Sequence, residues 1–143
     1  QKILKTKETE PKILLEKMHE LGPKIVVITD GPKGAYVYDS ASAQPALRRE
    51  LRQDEGSGAT KWFMPPYPDP KPPFERTGAG DAFSATFVSA LALGKTVPEA
   101  LSWAPVNSMS VVQHIGAQAG LLTRDQLERY LKEAPADYKP RAI

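Results

Sequence analysis

The placement of proline most constrains how this 143-residue chain can fold, because six of its fourteen prolines lie within residues 65–73. A proline has no N–H group to donate and fixes its own φ angle, so such a stretch is excluded from helices and from interior strands. We expect an extended loop or edge segment there. This loop separates a part of the chain that is rich in β-branched residues from a part with three helical patterns.

Before the loop, the sequence predicts one helix followed by a β-hairpin. Thr9 or Glu10 can cap a helix that has Pro11 in its first turn, and Gly22 with Pro23 ends it. The predicted strands are Lys24–Thr29, Gly34–Asp39 and Lys61–Met64. The β-branched composition of the first strand is typical of a buried, central position. The short joint that follows it favours an antiparallel hairpin.

After the loop, small and apolar residues predict three helices. They are Gly80–Leu93, Thr96 to about Gln113, and a last helix that begins at Thr123. Thr96 with Glu99 and Thr123 with Gln126 have the spacing of capping boxes. Pro105 is expected to kink or break the second helix. The order of helices and strands predicts an α/β domain whose sheet is too small for a complete doubly wound fold, which suggests a part of a larger domain.

Composition excludes several classes of function. The chain has 19 basic and 17 acidic residues, no cysteine and two histidines. A disulfide scaffold, a thiolate zinc site, a cysteine nucleophile and a multi-histidine metal site are therefore excluded. No apolar run approaches the roughly 20 residues of a membrane span. The basic residues Arg48, Arg49, Arg52 and Lys61 are interpreted as a solvated face rather than a nucleic-acid site.

The most informative segment is Thr77–Phe83, which reads TGAGDAF and comes directly before a helix. Without bulky side chains, the N–H groups of Gly78, Ala79 and Gly80 can converge at the helix N-terminus, where the helix dipole is positive. Such a site suits phosphate. Asp81, in the first turn, can activate a hydroxyl group beside it. Ordinary helix capping by the same residues is the alternative interpretation.

A second glycine-containing segment, Thr29–Gly34, reads TDGPKG and follows the first predicted strand. Its glycines allow a backbone to approach a ligand closely, and Lys33 could meet a phosphate. The segment matches neither a Walker A loop nor a dinucleotide-binding fingerprint. A simple hairpin turn is therefore the alternative interpretation.

Together, these segments resemble the C-terminal half of PfkB/ribokinase-type sugar kinases. The resemblance is carried by VVITDGPKGAYVYD (26–39), ERTGAGDAFSATFVSALALG (75–94) and EALSWAPVNSMSVVQHIGAQAG (99–120). It implies a ribokinase-like, Rossmann-like three-layer fold, of which residues 1–143 form the C-terminal portion with its helices and a small β-sheet. The family's N-terminal half, with the lid and most sugar-binding residues, is expected to be absent. Because the first residue is Gln1, we expect a processed product or a fragment.

The resemblance also implies roles for individual residues. Asp81 corresponds to the catalytic base, and Gly78, Ala79 and Gly80 correspond to the anion hole for the transferred phosphoryl group. The residues expected to contact the nucleotide are Thr29, Gly31, Lys33, Gly34, Asn107, His114 and Gly116. On residue type alone, Asn107 could hydrogen-bond the backbone near the nucleotide, or it could merely cap a helix that resumes after Pro105.

The implied reaction is ATP-dependent phosphoryl transfer to a sugar or nucleoside hydroxyl, with Mg²⁺ and, in many members, K⁺. Glu75 and Thr77 correspond to ligands of that monovalent cation, although the family has aspartate at the first position. Arg76 also departs from the usual threonine. The expected partners are ATP or ADP and the acceptor, with no nucleic acid and no membrane, and exposed sheet edges suggest a homo-oligomer. We expect a cytoplasmic location. The alternative is an inactive nucleotide-binding fragment that needs the missing half.

Overall fold

A computed structural model describes residue 4 and residues 6–40 and 60–143. The elements in chain order are α1 (Pro11–His19), β1 (Ile25–Thr29), a 3₁₀ turn (Gly31–Lys33), β2 (Ala35–Asp39), β3 (Thr60–Met64), α2 (Ala79–Ala92), α3 (Val97–Val112), α4 (Arg124–Lys132) and β4 (Arg141–Ala142). Of the basic cluster, Arg48, Arg49 and Arg52 lie outside the described residues. The chain forms two compact units. No helix in the described ranges is long and apolar enough to cross a bilayer.

The first unit contains α1 and the sheet. Helix α1 has Pro11 in its first turn after the N-cap Glu10, as predicted. Strands β1 and β2 form the predicted antiparallel hairpin, with Val27 opposite Val37 in the register. Helix α1 packs on this hairpin. The small core between them is formed by Leu15, Val26 and Tyr38, with Met18, Ile28 and Tyr36 packed against it.

The predicted central position of β1 is wrong. The order of the four described strands is β1-β2-β3-β4, so β1 lies at one end of this sheet. Only Val26 of β1 is buried, whereas four of the five residues of β2 are buried. β-Branched side chains favour a pleated backbone wherever it lies, and burial depends on what packs against the strand. Strand β4, which pairs antiparallel with β3, was not predicted because two residues carry no periodicity.

The second unit contains α2, α3 and α4. Helix α2 packs along α3, and α3 packs on α4. Phe83 and Phe87, one turn apart, are buried and stack with ring centroids 6.4 Å apart. Both predicted capping boxes are present, at Thr96 and at Thr123. Residues 65–73 form no helix or strand, as their prolines predict.

Of the kink or break expected at Pro105, the break does not occur, because α3 runs without interruption from Val97 to Val112 with Pro105 inside it. A proline in this position removes one backbone hydrogen bond and crowds the preceding turn. Twelve of the sixteen residues of α3 are buried. Packing on both sides of the helix therefore offsets the local cost of the proline. The alternative that Asn107 caps a resumed helix falls with the break.

Candidate functional site

The N-terminus of α2 is shaped by Gly78, the N-cap residue, whose φ is +82°. This left-handed conformation strongly favours glycine. A Cβ atom at this position would lie 2.6 Å from the Cβ of Ala117, so the loop after α3 closes directly onto the glycine. At Gly80, a Cβ atom would meet nothing within 4 Å among the described residues. The helix therefore begins with one tightly packed glycine and one open glycine.

The backbone amides at this end of α2 are only partly available. The N–H of Ala79 donates to the carbonyl of Arg76 at 3.3 Å. This differs from the expectation that the N–H groups of Gly78, Ala79 and Gly80 are all available to an anion. The first intrahelical bond runs from Ala82 N–H to the carbonyl of Gly78 at 2.8 Å. Helix geometry leaves the N–H groups of Gly80 and Asp81 without an intrahelical acceptor. No side chain of the described residues caps this terminus.

Asp81 lies in the first turn of α2, and its side chain is exposed. The helix dipole at this end of α2 is positive, as at any helix N-terminus. The hydroxyl of Ser108 on α3 donates to the carbonyl of Ala79 at 2.8 Å and fixes the start of α2 against the neighbouring helix. The carboxylate and the unpaired amides thus belong to one anchored turn.

The segment that leads into α2 is joined to the end of α3 and the loop after it. The side-chain amide of Gln113 donates to the carbonyl of Lys71 at 3.0 Å. The N–H of Phe74 donates to the carbonyl of Val112 at 2.8 Å. The N–H of Gly116 donates to Oε1 of Glu75 at 2.7 Å. Two expected site residues, Glu75 and Gly116, are therefore in direct contact.

Asn107 and His114 mainly make contacts within the fold. Asn107 is buried; its Nδ2 donates to Oγ1 of Thr86 on α2 at 2.8 Å, and its Oδ1 accepts the N–H of Leu122 at 3.0 Å. The bond to Leu122 is a contact with backbone, whereas the bond to Thr86 joins two side chains; a contact of Asn107 with the nucleotide stays a prediction. His114 is exposed, and its Nδ1 lies 2.9 Å from the carbonyl of Ser110, so Nδ1 carries the proton.

The loop after β1 is a tight turn, as predicted. The N–H of Gly34 donates to the carbonyl of Gly31 at 3.2 Å, and both glycines have positive φ. Lys33 is exposed in this turn. Gly31–Gly34 belongs to the second compact unit, which also contains α2, whereas Thr29 belongs to the first.

A metal centre built from side chains is not found in the described residues, where no three histidine, cysteine, aspartate or glutamate side chains come together. The expected cation ligands differ in their surroundings. Glu75 is half-buried and bonded to Gly116, whereas Thr77 is exposed. Sequence reasoning missed Ser108, Gln113 and Ala117, because their contacts join residues far apart in the chain.

Comparison with known proteins gives consistent results. The family model described as pfkB family carbohydrate kinase matches residues 1–124. The ribokinase of Bacillus subtilis (strain 168) is 39% identical over 75 residues, which are 52% of this chain and 25% of that protein. A ribokinase of Arabidopsis thaliana, solved in complex with ribose and ATP, has a TM-score of 0.64 and 26% identity over 85% of this chain and 33% of that chain.

A structure described as ribokinase II from E. coli, in complex with ATP and Mg²⁺, has a TM-score of 0.69 and covers 92% of this chain and 36% of that chain. At 21% identity this is a likeness of fold alone. The α/β architecture is thus that of the ribokinase fold. The chain belongs to the pfkB family of carbohydrate kinases. It spans about a quarter of the curated ribokinase and about a third of the solved chains.

Proposed function

We propose that this chain forms the nucleotide-binding and catalytic-base part of a kinase that transfers the γ-phosphoryl group of ATP to a hydroxyl group of a sugar or nucleoside. The observation that carries the proposal is the first turn of α2, where an exposed aspartate lies beside amides that no described side chain caps. This turn is part of the segment matched by the family model. Anions are stabilised at such a helix terminus by its amides and its dipole.

In this proposal, Asp81 is the general base. Its carboxylate accepts the proton of the acceptor hydroxyl as the oxygen attacks the phosphorus atom. The N–H groups of Gly80 and Asp81 stabilise the charge on the transferred group, with Gly78 shaping the turn. Ala79 contributes chiefly by its position, because its N–H already donates to a carbonyl. The exposure of Asp81 supports access to an acceptor.

The nucleotide is proposed to contact Gly31, Lys33 and Gly34 in the turn, and His114 and Gly116 beyond α3, which all belong to the second unit. A contact with Thr29 stays a prediction. Nδ1 of His114 is engaged by the carbonyl of Ser110, so Nε2 is the ring nitrogen left for a ligand in this proposal. Mg²⁺ in such sites keeps several waters and binds the phosphates of the substrate with one or two carboxylates. When bound, it would neutralise phosphate charge. A monovalent cation at Glu75 and Thr77 stays a prediction.

The second candidate is a nucleotide-binding chain that is inactive by itself. The specific observation in its favour is coverage, since the chain spans 36% of one structural relative and 33% of another. The acceptor site in that case depends on residues outside this sequence. Both candidates share nucleotide binding and differ in turnover.

Calorimetric titration with ATP and ADP, together with a coupled kinase assay on ribose, fructose and adenosine, separates the candidates. Nucleotide binding with turnover supports the first, and binding without turnover supports the second. Failure to bind either nucleotide with Mg²⁺ present contradicts both.

Replacement of Asp81 by asparagine tests the base directly wherever turnover is found. We expect Asp81→Asn to lower kcat by about two to four orders of magnitude, because a positioned base contributes on that scale. The affinity for ATP should change little. Glu133→Ala, which removes one exposed carboxylate from the C-cap of α4, is the matched control. Activity close to wild type in Asp81→Asn would refute the assignment.

A further inference from the structure

The bond between Glu75 and Gly116 points to a role that is independent of any metal. The carboxylate lies in the segment before α2, and the amide lies in the loop after α3. The residue next to Gly116 in that loop, Ala117, is the one that closes onto Gly78. The bond therefore holds the part of the loop that forms one wall of the α2 N-terminus.

We propose that Glu75 is a positioning residue, whose carboxylate holds the 116–117 loop against Gly78 and thereby fixes the anion-binding turn. The expected effect on nucleotide binding rests on the proposed function. The hydrogen bond between Glu75 and Gly116 is independent of it. Two further hydrogen bonds hold the same two segments together. The N–H of Phe74 donates to the carbonyl of Val112, and the side-chain amide of Gln113 donates to the carbonyl of Lys71. Glu75 adds the contact nearest to the site.

The chemistry of the bond explains why a glutamate suits this position. A glutamate side chain is long enough to bring an acceptor oxygen to the Gly116 amide, at 2.7 Å. Oε1 accepts the Gly116 amide, so this carboxylate has a structural partner that is independent of a cation. A positioning role needs an acceptor at the right distance, whereas a cation ligand needs negative charge. The two roles therefore predict different behaviour for glutamine, which keeps the acceptor and loses the charge.

The test compares Glu75→Ala, Glu75→Gln and Glu75→Asp in the 143-residue chain. Calorimetry with Mg²⁺ and ADP is carried out in KCl and in NaCl. Hydrogen exchange at the amides of Gly116 and Ala117 is followed by NMR in the same variants without nucleotide. Glu133→Ala is the control for loss of one exposed carboxylate.

For Glu75→Ala we expect about tenfold weaker ADP binding, the scale of one hydrogen bond, and faster exchange at Gly116. Glu75→Asp, one methylene shorter, should behave in the same way. Glu75→Gln and Glu133→Ala should stay within about twofold of wild type, in either salt, since the acceptor is kept or lies elsewhere. Rescue by glutamine distinguishes positioning from charge.

Two outcomes would overturn the proposal. In the first, Glu75→Gln binds ADP as weakly as Glu75→Ala does, and only the wild type binds ADP more tightly in KCl than in NaCl. This combination would assign Glu75 as a cation ligand. The other is unchanged exchange at Gly116 in Glu75→Ala. If the wild type does not bind ADP, the proposed function fails, and the exchange measurement alone decides whether Glu75 holds the loop.

Discussion

Replacing Asn107 with alanine should destabilise the second unit, because this buried side chain joins three of its segments. Nδ2 donates to Oγ1 of Thr86 on α2, and Oδ1 accepts the N–H of Leu122 before α4. Alanine removes both bonds and leaves the Leu122 N–H without its acceptor. The hydroxyl of Thr86 loses its donor as well.

The magnitude follows from these contacts. Each lost bond contributes about 0.5–1.5 kcal/mol, and a buried group left without a partner costs about 1–3 kcal/mol. The Thr86 hydroxyl can turn to a backbone carbonyl of its own helix, so only the Leu122 N–H is counted as stranded. With about 0.5–1.5 kcal/mol for the Thr86 bond and about 1–3 kcal/mol for the stranded N–H, the expected loss in free energy of unfolding is about 1.5–4.5 kcal/mol.

Urea denaturation followed by tryptophan fluorescence measures this loss. The chain has two tryptophans, and Trp62→Phe leaves Trp103, which is buried on α3, as the reporter. Thr86→Val, nearly isosteric, removes one of the two bonds and completes a double-mutant cycle with Asn107→Ala. We expect a coupling energy of at least about 0.5 kcal/mol. A loss below about 0.5 kcal/mol for Asn107→Ala, or no coupling, would refute the reasoning.

Other predictions address the caps, the glycines and assembly. Hydrogen bonds from Thr96 lower the pKa of Glu99, and the backbone N–H has a larger effect than the hydroxyl. This capping box therefore stabilises the folded state at neutral pH and weakens as the pH falls through that pKa. In urea denaturation, Thr96→Ala should lower the free energy of unfolding by about 1 kcal/mol at pH 7 and by less at pH 3. Thr123→Ala, whose partner is an uncharged glutamine, should lower it by the same amount at both pH values. An equal pH dependence of the two variants contradicts this prediction. In thermal unfolding, Gly78→Ala should lower the free energy of unfolding by about 2–4 kcal/mol, because of the positive φ and the close packing of Gly78. Gly80→Ala should leave the stability unchanged or raise it. A larger loss for Gly80→Ala than for Gly78→Ala contradicts this prediction. Light scattering should give a mass above the monomer; a monomeric mass contradicts the expected self-association.

Local features of the fold could be predicted from the sequence, and long-range ones could not. The capping boxes and the hairpin turn depend on residues within a few positions of each other, so their patterns predicted them. The position of β1 in the sheet depends on which strands lie beside it, which its β-branched residues do not specify. Pro105 is accommodated by the packing of α3, a tertiary effect that overrides local preference.

The site shows the same division. The turn at Gly78–Asp81 could be singled out because its residue types are contiguous and precede a helix, and its binding of an anion stays a prediction. The partners that fix this turn come from elsewhere: Ser108 from α3 and Ala117 from the following loop. Glu75 could be singled out by its place in the motif, but its bond to Gly116 spans 41 positions and leaves no periodic signal.

The pairing of β3 with β4 has a consequence for the kinetics of folding. Trp62 and Phe63 pair with residues 141–142. This edge of the sheet therefore forms only when the two segments on either side of residues 65–140 come together. Long-range pairings of this kind form more slowly than helices, whose contacts are local. In a stopped-flow refolding experiment, helical ellipticity should return first, and the fluorescence of Trp62 should reach its native value in a later step.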